Sequence, residues 1–455
     1  MDFLRFPIVL ACSLLALQTL IAVPTAVALT GHRQPEEGEL LWQDQLNRGG
    51  DFGTAVAVQG KRVFAAGFSQ SLTTEDTDFV RAYDARTGRL LWERQSPKRG
   101  NSEDVLLAVE GYLVFATLSN HIRAHDVRTG AVVWEDALGA ATITDVSAKQ
   151  GMLVVVGYRF DGNVDVLVRA YDAATGELIW DDRFNSGGNN EDRAFAVALA
   201  GRRVFVAGET LEGGTGLRSF LLRAYNSRKG DLLWDDSSPG SSTTAFAVVS
   251  HGGIVAIAGT RNLEFGANPL IRAYDARDGV LRWEHEVPGG TVPTNGFFDA
   301  LAVQGHRVFA AGSRGGFLVQ AYDFRSGTPL WQRQSQAAFG VALAITASHG
   351  SVYAAGLDDR DWLVEAYDGT TGDIMWEDRF DNGGLFGIAR DDEAGRGRLF
   401  VVGDVQTPTD FNDFLIRAYA TDRDSGRKAR HSGFPRHFKV SLPDPRDSVR
   451  RTSNR

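Results

Sequence analysis

The sequence predicts an all-β protein, an eight-bladed β-propeller of four-stranded blades closed by its N-terminal strand. Three observations predict it. First, an eleven-residue pattern recurs in seven complete copies: Ala-Tyr-Asp, three variable positions, Gly, three more, then Trp. One copy runs from Ala82 through Tyr83, Asp84 and Gly88 to Trp92, and the others end at Trp134, Trp180, Trp234, Trp283, Trp331 and Trp376. Second, Trp42 and Gly38 keep the same frame with no preceding strands. Third, a last copy at Ala418-Tyr419 ends with no Trp, Ala420 and Asp424 standing at its Asp and Gly positions. A repeat period of roughly 20–50 residues marks a solenoid or propeller. The orphan pieces at the two ends complete one blade between them, which removes the exposed sheet edges of an open array.

Each copy reads as one unit. An apolar, alternating run such as Phe79-Val80-Arg81-Ala82-Tyr83 enters it as a half-buried strand. Asp and Gly bracket the turn that follows, the carboxylate because it accepts nearby backbone amides and the glycine because it tolerates positive φ. A second strand opens at Leu90-Leu91-Trp92. A large indole at the same place in every unit acts as a wedge between units, its N–H bonded to local backbone. Upstream lie two more strands, Thr54-Ala55-Val56-Ala57-Val58 and Val63-Phe64-Ala65-Ala66, with the same pair at 194–207 and 300–311. Each unit therefore has four strands, a to d. The alanines of strand a (Ala194, Ala196, Ala198) suit an inner strand at a narrow centre. The propeller spans 38–420. His125 replaces Tyr in the second full copy, and Asn226 replaces Asp in the fourth.

These copies resemble the tryptophan-docking repeat of the quinoprotein alcohol dehydrogenase-like propellers, the pyrroloquinoline quinone (PQQ) repeats. The resemblance implies the propeller fold and a structural docking role for Trp42, Trp92, Trp134, Trp180, Trp234, Trp283, Trp331 and Trp376. It implies no single function, because that superfamily holds cofactor-dependent dehydrogenases alongside non-catalytic members, one of which assists outer-membrane protein assembly. The pairs Trp180-Asp181 and Trp234-Asp235 do not indicate a WD40 propeller. There the pair closes strand c, whereas here Trp follows a Gly turn and opens strand d.

The flanks differ from the repeats. Residues 6–29 are mostly apolar and carry no charge, and Ala26-Val27-Ala28 has the small-x-small form of a signal-peptidase site. Residues 1–28 read as a signal peptide, with an uncleaved membrane anchor as the alternative, so the protein is expected to be exported to a periplasmic or extracellular location. The one cysteine, Cys12, reads as an ordinary residue of that apolar run. From Thr421 onward the chain holds ten Lys/Arg and four Asp, a basic tail of net +6 expected to be disordered, which leaves −15 on the rest. An acidic body disfavours nucleic acid as a partner of the propeller.

Chemistry is sparse. No phosphate-binding glycine loop, nucleophile elbow or paired zinc motif occurs, so no catalytic residue is assigned and no cofactor is expected. His121 and His125 share a strand face without a third ligand in sequence, and His125 sits in the Tyr slot, where packing accounts for it. Carboxylates precede several c strands: Asp76 and Asp78, Asp161 and Asp165, Asp359 and Asp361, Asp410 and Asp413. Of these, Asp76, Asp78, Asp359 and Asp361 are the candidates for a Ca²⁺ or cationic ligand, although none has complete calcium-loop spacing. Glycine-rich d–a loops, as at Asn47-Arg48-Gly49-Gly50, reach the same face.

The expected function is an exported, non-catalytic, monomeric binding or scaffold propeller that takes an unknown protein or small ligand on its b–c and d–a loops. The insertion 211–217 in blade 4 is the place to look first. The alternative is a PQQ-dependent dehydrogenase, using PQQ with Ca²⁺ to oxidise alcohols or sugars. The large alcohol dehydrogenases of the family carry an adjacent cysteine pair beside the quinone, which this chain lacks.

Overall fold

A computed structural model of the protein describes residues 35–421, except 71–74, 99–104, 119–120, 188–189, 212–215, 238–241, 289–294, 338, 360, 392–396 and 407–411. The leader with Cys12, the tail beyond Thr421, Asp410 and the middle of the 211–217 insertion lie outside the described residues. The described strands form eight antiparallel four-stranded sheets. In blade 1 the strands are Gly50–Gln59, Arg62–Gln70, Thr77–Asp84 and Leu90–Pro97. In blade 4 they are Glu191–Ala200, Arg203–Leu211, Arg218–Asn226 and Leu232–Asp236. Blades 2, 3, 5, 6 and 7 occupy 107–137, 141–184, 243–286, 297–334 and 340–380.

Blade 8 is assembled from both ends of the chain. Strands a to c are Gly383–Asp391, Gly397–Gln406 and Asn412–Thr421, and the outer strand is Leu40–Leu46. Trp42 lies opposite Ala418 and Leu46 opposite Phe414, the closure that the two orphan pieces predict. Strand a of each blade touches strand a of the next around the whole circuit, blade 8 meeting blade 1. The sheets therefore form a closed ring with no free edge at the join.

The core is distributed around this ring. Eight apolar clusters occur among the described residues, one at each blade-to-blade seam. The strand period explains this: alternate side chains of strands b and c point to opposite faces of a blade, and both faces are covered by neighbouring blades. Strands b and c accordingly read as continuous buried runs, as at Val204-Phe205-Val206-Ala207.

Strand a carries a β-bulge in seven blades, between Gly53 and Ala55 in blade 1 and between Ala194 and Ala196 in blade 4. A strand b glycine makes room for it. A Cβ on Gly208 would stand 1.9 Å from the Arg193 carbonyl oxygen, and one on Gly67 would stand 1.8 Å from that of Phe52. Blade 2 has Thr117 at this position, and its short strand a, Leu107–Glu110, pairs without a bulge.

Candidate functional site: the loop face, the inner rim and the seams that hold them

Each seam is built on a tryptophan. The indole of Trp42 lies against Gly88 in the c–d turn of the next blade, so closely that a Cβ there would fall 2.6 Å from the ring. Gly88 is also held at φ +69°, a second reason for glycine. The N–H groups of Trp42, Trp92, Trp134 and Trp180 donate to the carbonyls of Ala85, Val127, Ala173 and Ser227. Those of Trp234, Trp283 and Trp331 donate to Ala276, Phe324 and Gly369. Trp376 differs. It lies against Gly38 from the N-terminal end of the propeller, and its buried Nε1 makes no hydrogen bond.

Beside the indole sits a polar contact that spacing within one repeat does not reveal. Two residues after Trp42, Asp44 accepts at one oxygen from Arg81 at 2.9 Å and from the Tyr83 hydroxyl at 2.9 Å. Asp136, Asp182 and Asp236 accept the hydroxyls of Tyr171, Tyr225 and Tyr274. At the closing seam Asp378 accepts from Tyr419 at 2.6 Å and from Arg417 at 2.8 Å. Burial raises the phenols of Tyr83 and Tyr419 well above their ordinary pKa, so they remain donors. Three seams depart from the pattern: Arg94 donates to the Gly130 and Thr129 carbonyls, Arg333 donates to the Gly372 carbonyl, and the His285 ring lies 5.1 Å from that of Tyr322. The His125 ring stacks on Trp92 at 6.2 Å and its Nδ1 bonds the Gly130 carbonyl at 3.1 Å, the slot tyrosine fills elsewhere.

On the loop face the carboxylates are used to pin loops. Asp413, fully buried, accepts from the Gln45 and Asn47 amides at 2.6 and 3.0 Å. Asp165 accepts from Asn185 at 2.7 Å and pairs with Arg183 at 3.0 Å, and Asp161 pairs with the same arginine at 3.2 Å. Asp51 accepts the Arg48 amide and the Ser69 hydroxyl, while Asp192 takes the Ser186 amide and hydroxyl. Burial raises the carboxyls of Asp51 and Asp413, the Asp51 charge adding to the second shift. Of the four cation candidates, Asp76 and Asp78 stand in blade 1 and Asp359 and Asp361 in blade 7, with blade 8 between. Asp359, at φ +60°, bonds Phe339 from both its amide and its carboxylate. Among the described residues no three His, Cys, Asp or Glu side chains converge on a point suited to a metal ion.

The strand a bulges define the inner rim with Thr54, Thr144, Phe195, Phe246, Asp299, Leu343 and Phe386. An apolar arc runs across blades 4 to 6: Phe195 contacts Phe246 at 5.9 Å, and Phe246 contacts Phe297 at 6.2 Å. Burial pushes Asp299 up to about 6. Asp145, beside Thr144, is likewise pushed up to about 6 by burial, against the opposing effect of the Val197 and Val146 amides it accepts. PQQ bears carboxylates, and these bulge positions offer it phenylalanine, threonine, leucine and aspartate with no lysine or arginine. These bulge residues do not fit that cofactor.

The family model described as outer membrane protein assembly factor BamB matches residues 76–237 and 218–380. The chain belongs to this family. No curated protein sequence matches it. Among solved structures, this BamB-family chain is similar to the computationally designed Ika8 protein, with 18% identity, 84% of this chain and 100% of that one covered, and TM-score 0.56. It is similar to BamB from Moraxella catarrhalis, with 15% identity, 83% and 97% coverage and TM-score 0.53. It is also similar to a europium-containing methanol dehydrogenase, with 14% identity, 84% and 93% coverage and TM-score 0.56. At these identities the likeness is one of fold.

In this BamB-family propeller, sequence reasoning missed the Asp–Arg–Tyr contacts, the bulges and a ninth tryptophan. The Trp362 N–H donates to the Asp404 carbonyl at 2.7 Å on the loop-face side of the closing seam. A signal for the first was available: Asp recurs two residues after five of the eight docking tryptophans.

Proposed function

We propose that the protein is an exported, non-catalytic binding or scaffold propeller whose b–c and d–a loops form the recognition surface for a protein or small ligand. The observation that carries this reading is the pinning of the d–a loops by Asp51, Asp165, Asp192 and Asp413. Carboxylates committed to loop geometry present a fixed surface, and loops on a rigid scaffold commonly carry recognition. The family's description as an outer membrane assembly factor supports a scaffold role and an extracytoplasmic location. The apolar arc of Phe195, Phe246 and Phe297 adds contact area beside those loops. Export rests on the leader at 1–28, with Leu29 as the mature N-terminus.

The test sets this reading against the dehydrogenase. The purified mature protein is titrated with PQQ in the presence of Ca²⁺, then assayed for dye-linked oxidation of alcohols and sugars. Neither stoichiometric uptake nor turnover is expected. Equimolar PQQ binding with turnover would replace the scaffold by the enzyme.

A further inference from the structure

The face opposite the recognition loops carries a feature that this reading does not use. Between blades 4 and 5 a cavity of about 420 Å³ opens among the a–b turns, lined by Arg202, Arg203, Ser250 and His251, with Ala276 from the blade 5 c–d turn. Its turns contain Gly201, Gly252 and Gly253, all at positive φ.

The charge of this cavity follows from one substitution. The first residue of strand b is arginine in blades 1, 4 and 6. Arg62 lies opposite Asp84, and Arg307 lies opposite Asp323. Arg203 lies opposite Asn226, where the repeat has dropped its aspartate. Directly opposed residues on paired strands are close neighbours, so a carboxylate there lowers the positive potential at the guanidinium without forming an ion pair with it, and an amide does not. Asn226 keeps the turn. Its Oδ1 accepts the amides of Arg228 and Lys229 at 3.0 and 3.2 Å, as Asp84 accepts those of Arg86 and Thr87 at 3.1 and 2.8 Å. The exchange therefore alters charge and leaves local geometry in place.

Other features point the same way. The blade 4 turns gather Arg202, Arg203, Arg228 and Lys229 against one acid, Asp231, on a chain of net charge −9. Asp275, in the neighbouring blade 5 turn, is taken by Arg282 at 2.5 Å. The Arg203 Nε is buried and makes no hydrogen bond, a state it shares with the Arg62 Nε, so the exchange at Asn226 acts through charge and not through a lost hydrogen bond.

We propose that this cavity binds a small organic or inorganic oxyanion, a carboxylate or phosphate group held by Arg203 and Arg202 with Ser250 and His251 at its edge. Guanidinium groups suit both oxyanions, and the volume suits a small ligand. The proposal is independent of the loop-face reading, which stands or falls on other residues.

Isothermal titration calorimetry at low ionic strength tests it with two probes, citrate and inorganic phosphate, on the wild type, Asn226→Asp, Arg203→Gln and Arg307→Gln. At least one probe is expected to bind saturably and equimolarly with a Kd of about 1 mM or tighter. Asn226→Asp and Arg203→Gln are expected to weaken it by about ten-fold or more, while Arg307→Gln leaves it unchanged. Saturation by citrate alone assigns a carboxylate ligand, and saturation by phosphate alone assigns a phosphate. Should Arg203→Gln fail to fold, Asn226→Asp carries the test, because aspartate already serves this turn in the other complete repeats. No saturable heat in the wild type, equal affinity in Asn226→Asp, or equal weakening in Arg307→Gln would overturn the proposal.

Discussion

The seam that closes the ring, between blades 7 and 8, and the seam between blades 1 and 2 share a docked tryptophan and differ in nearly everything around it. At the closing seam Asp378 holds Arg417 and Tyr419, and the glycine under Trp376 comes from the other end of the chain. At the other seam Arg94 replaces the aspartate, turns away to the carbonyls of Gly130 and Thr129, and leaves Arg123 to Glu135. His125 replaces the tyrosine. Yet Trp92 sits on Gly130 as Trp376 sits on Gly38, with a Cβ forbidden at 2.7 Å in both cases. The apolar wedge is the shared requirement, and the polar group beside it is exchangeable: arginine and histidine stand in for aspartate and tyrosine, while the retained Arg123 takes Glu135 instead.

The largest effect should therefore be common to both seams. Trp92→Ala and Trp376→Ala are each expected to cost about 3–5 kcal/mol in denaturant unfolding, and a loss near zero at either seam would break the comparison. The next effect should separate them. Asp378→Ala strands the buried Arg417 guanidinium and should cost about 3 kcal/mol, while Arg94→Ala, at an exposed position, should cost less than about 1 kcal/mol. Similar losses from the two would show that the closing seam gains nothing from its ion pair.

The smallest effect sharpens the contrast through pH. Burial holds the His125 imidazole below its ordinary pKa, so the unfolded chain binds the proton more readily than the folded one. The stability this neutral ring supports is present above about pH 6.5 and is lost as pH falls below it. His125→Tyr removes that dependence, so its stability relative to wild type should rise by up to about 1 kcal/mol between pH 7.5 and 5.5. A difference that does not change with pH would mean the ring is not held neutral.

The legible parts of the fold are those written within a single repeat. Trp, Gly and Asp keep fixed spacing because the turn and the wedge are local to one c–d hairpin, so blade number and closure could be read from Trp42 and Ala418. The Asp–Arg–Tyr contact crosses a seam, its aspartate on one repeat and its arginine on the next, and no spacing inside either repeat shows the pairing. The strand b glycines gain their meaning only from strand a, whose Phe52 and Arg193 carbonyls press onto Gly67 and Gly208. The loop-face acids were visible as a pattern, but sequence order did not show that Asp76 and Asp359 stand two blades apart or that Asp165 and Asp413 are spent on Asn185 and Asn47. The Asn226 exchange stands out against the repeat. Its meaning depends on Arg203, which only strand register sets opposite it.

The shared blade has a further consequence for how the ring is cut. The Gly38 amide donates to Ala420, and the Ala420 amide donates to Glu39, so the described ends meet where the other seven blades carry an ordinary c–d turn. The chain's break is thus a gap in the eighth such turn, and topologically the circle has no privileged starting point. A short linker from 420 to 38 would make that turn continuous, and the opening could then be moved to any exposed b–c loop while all eight seams persist.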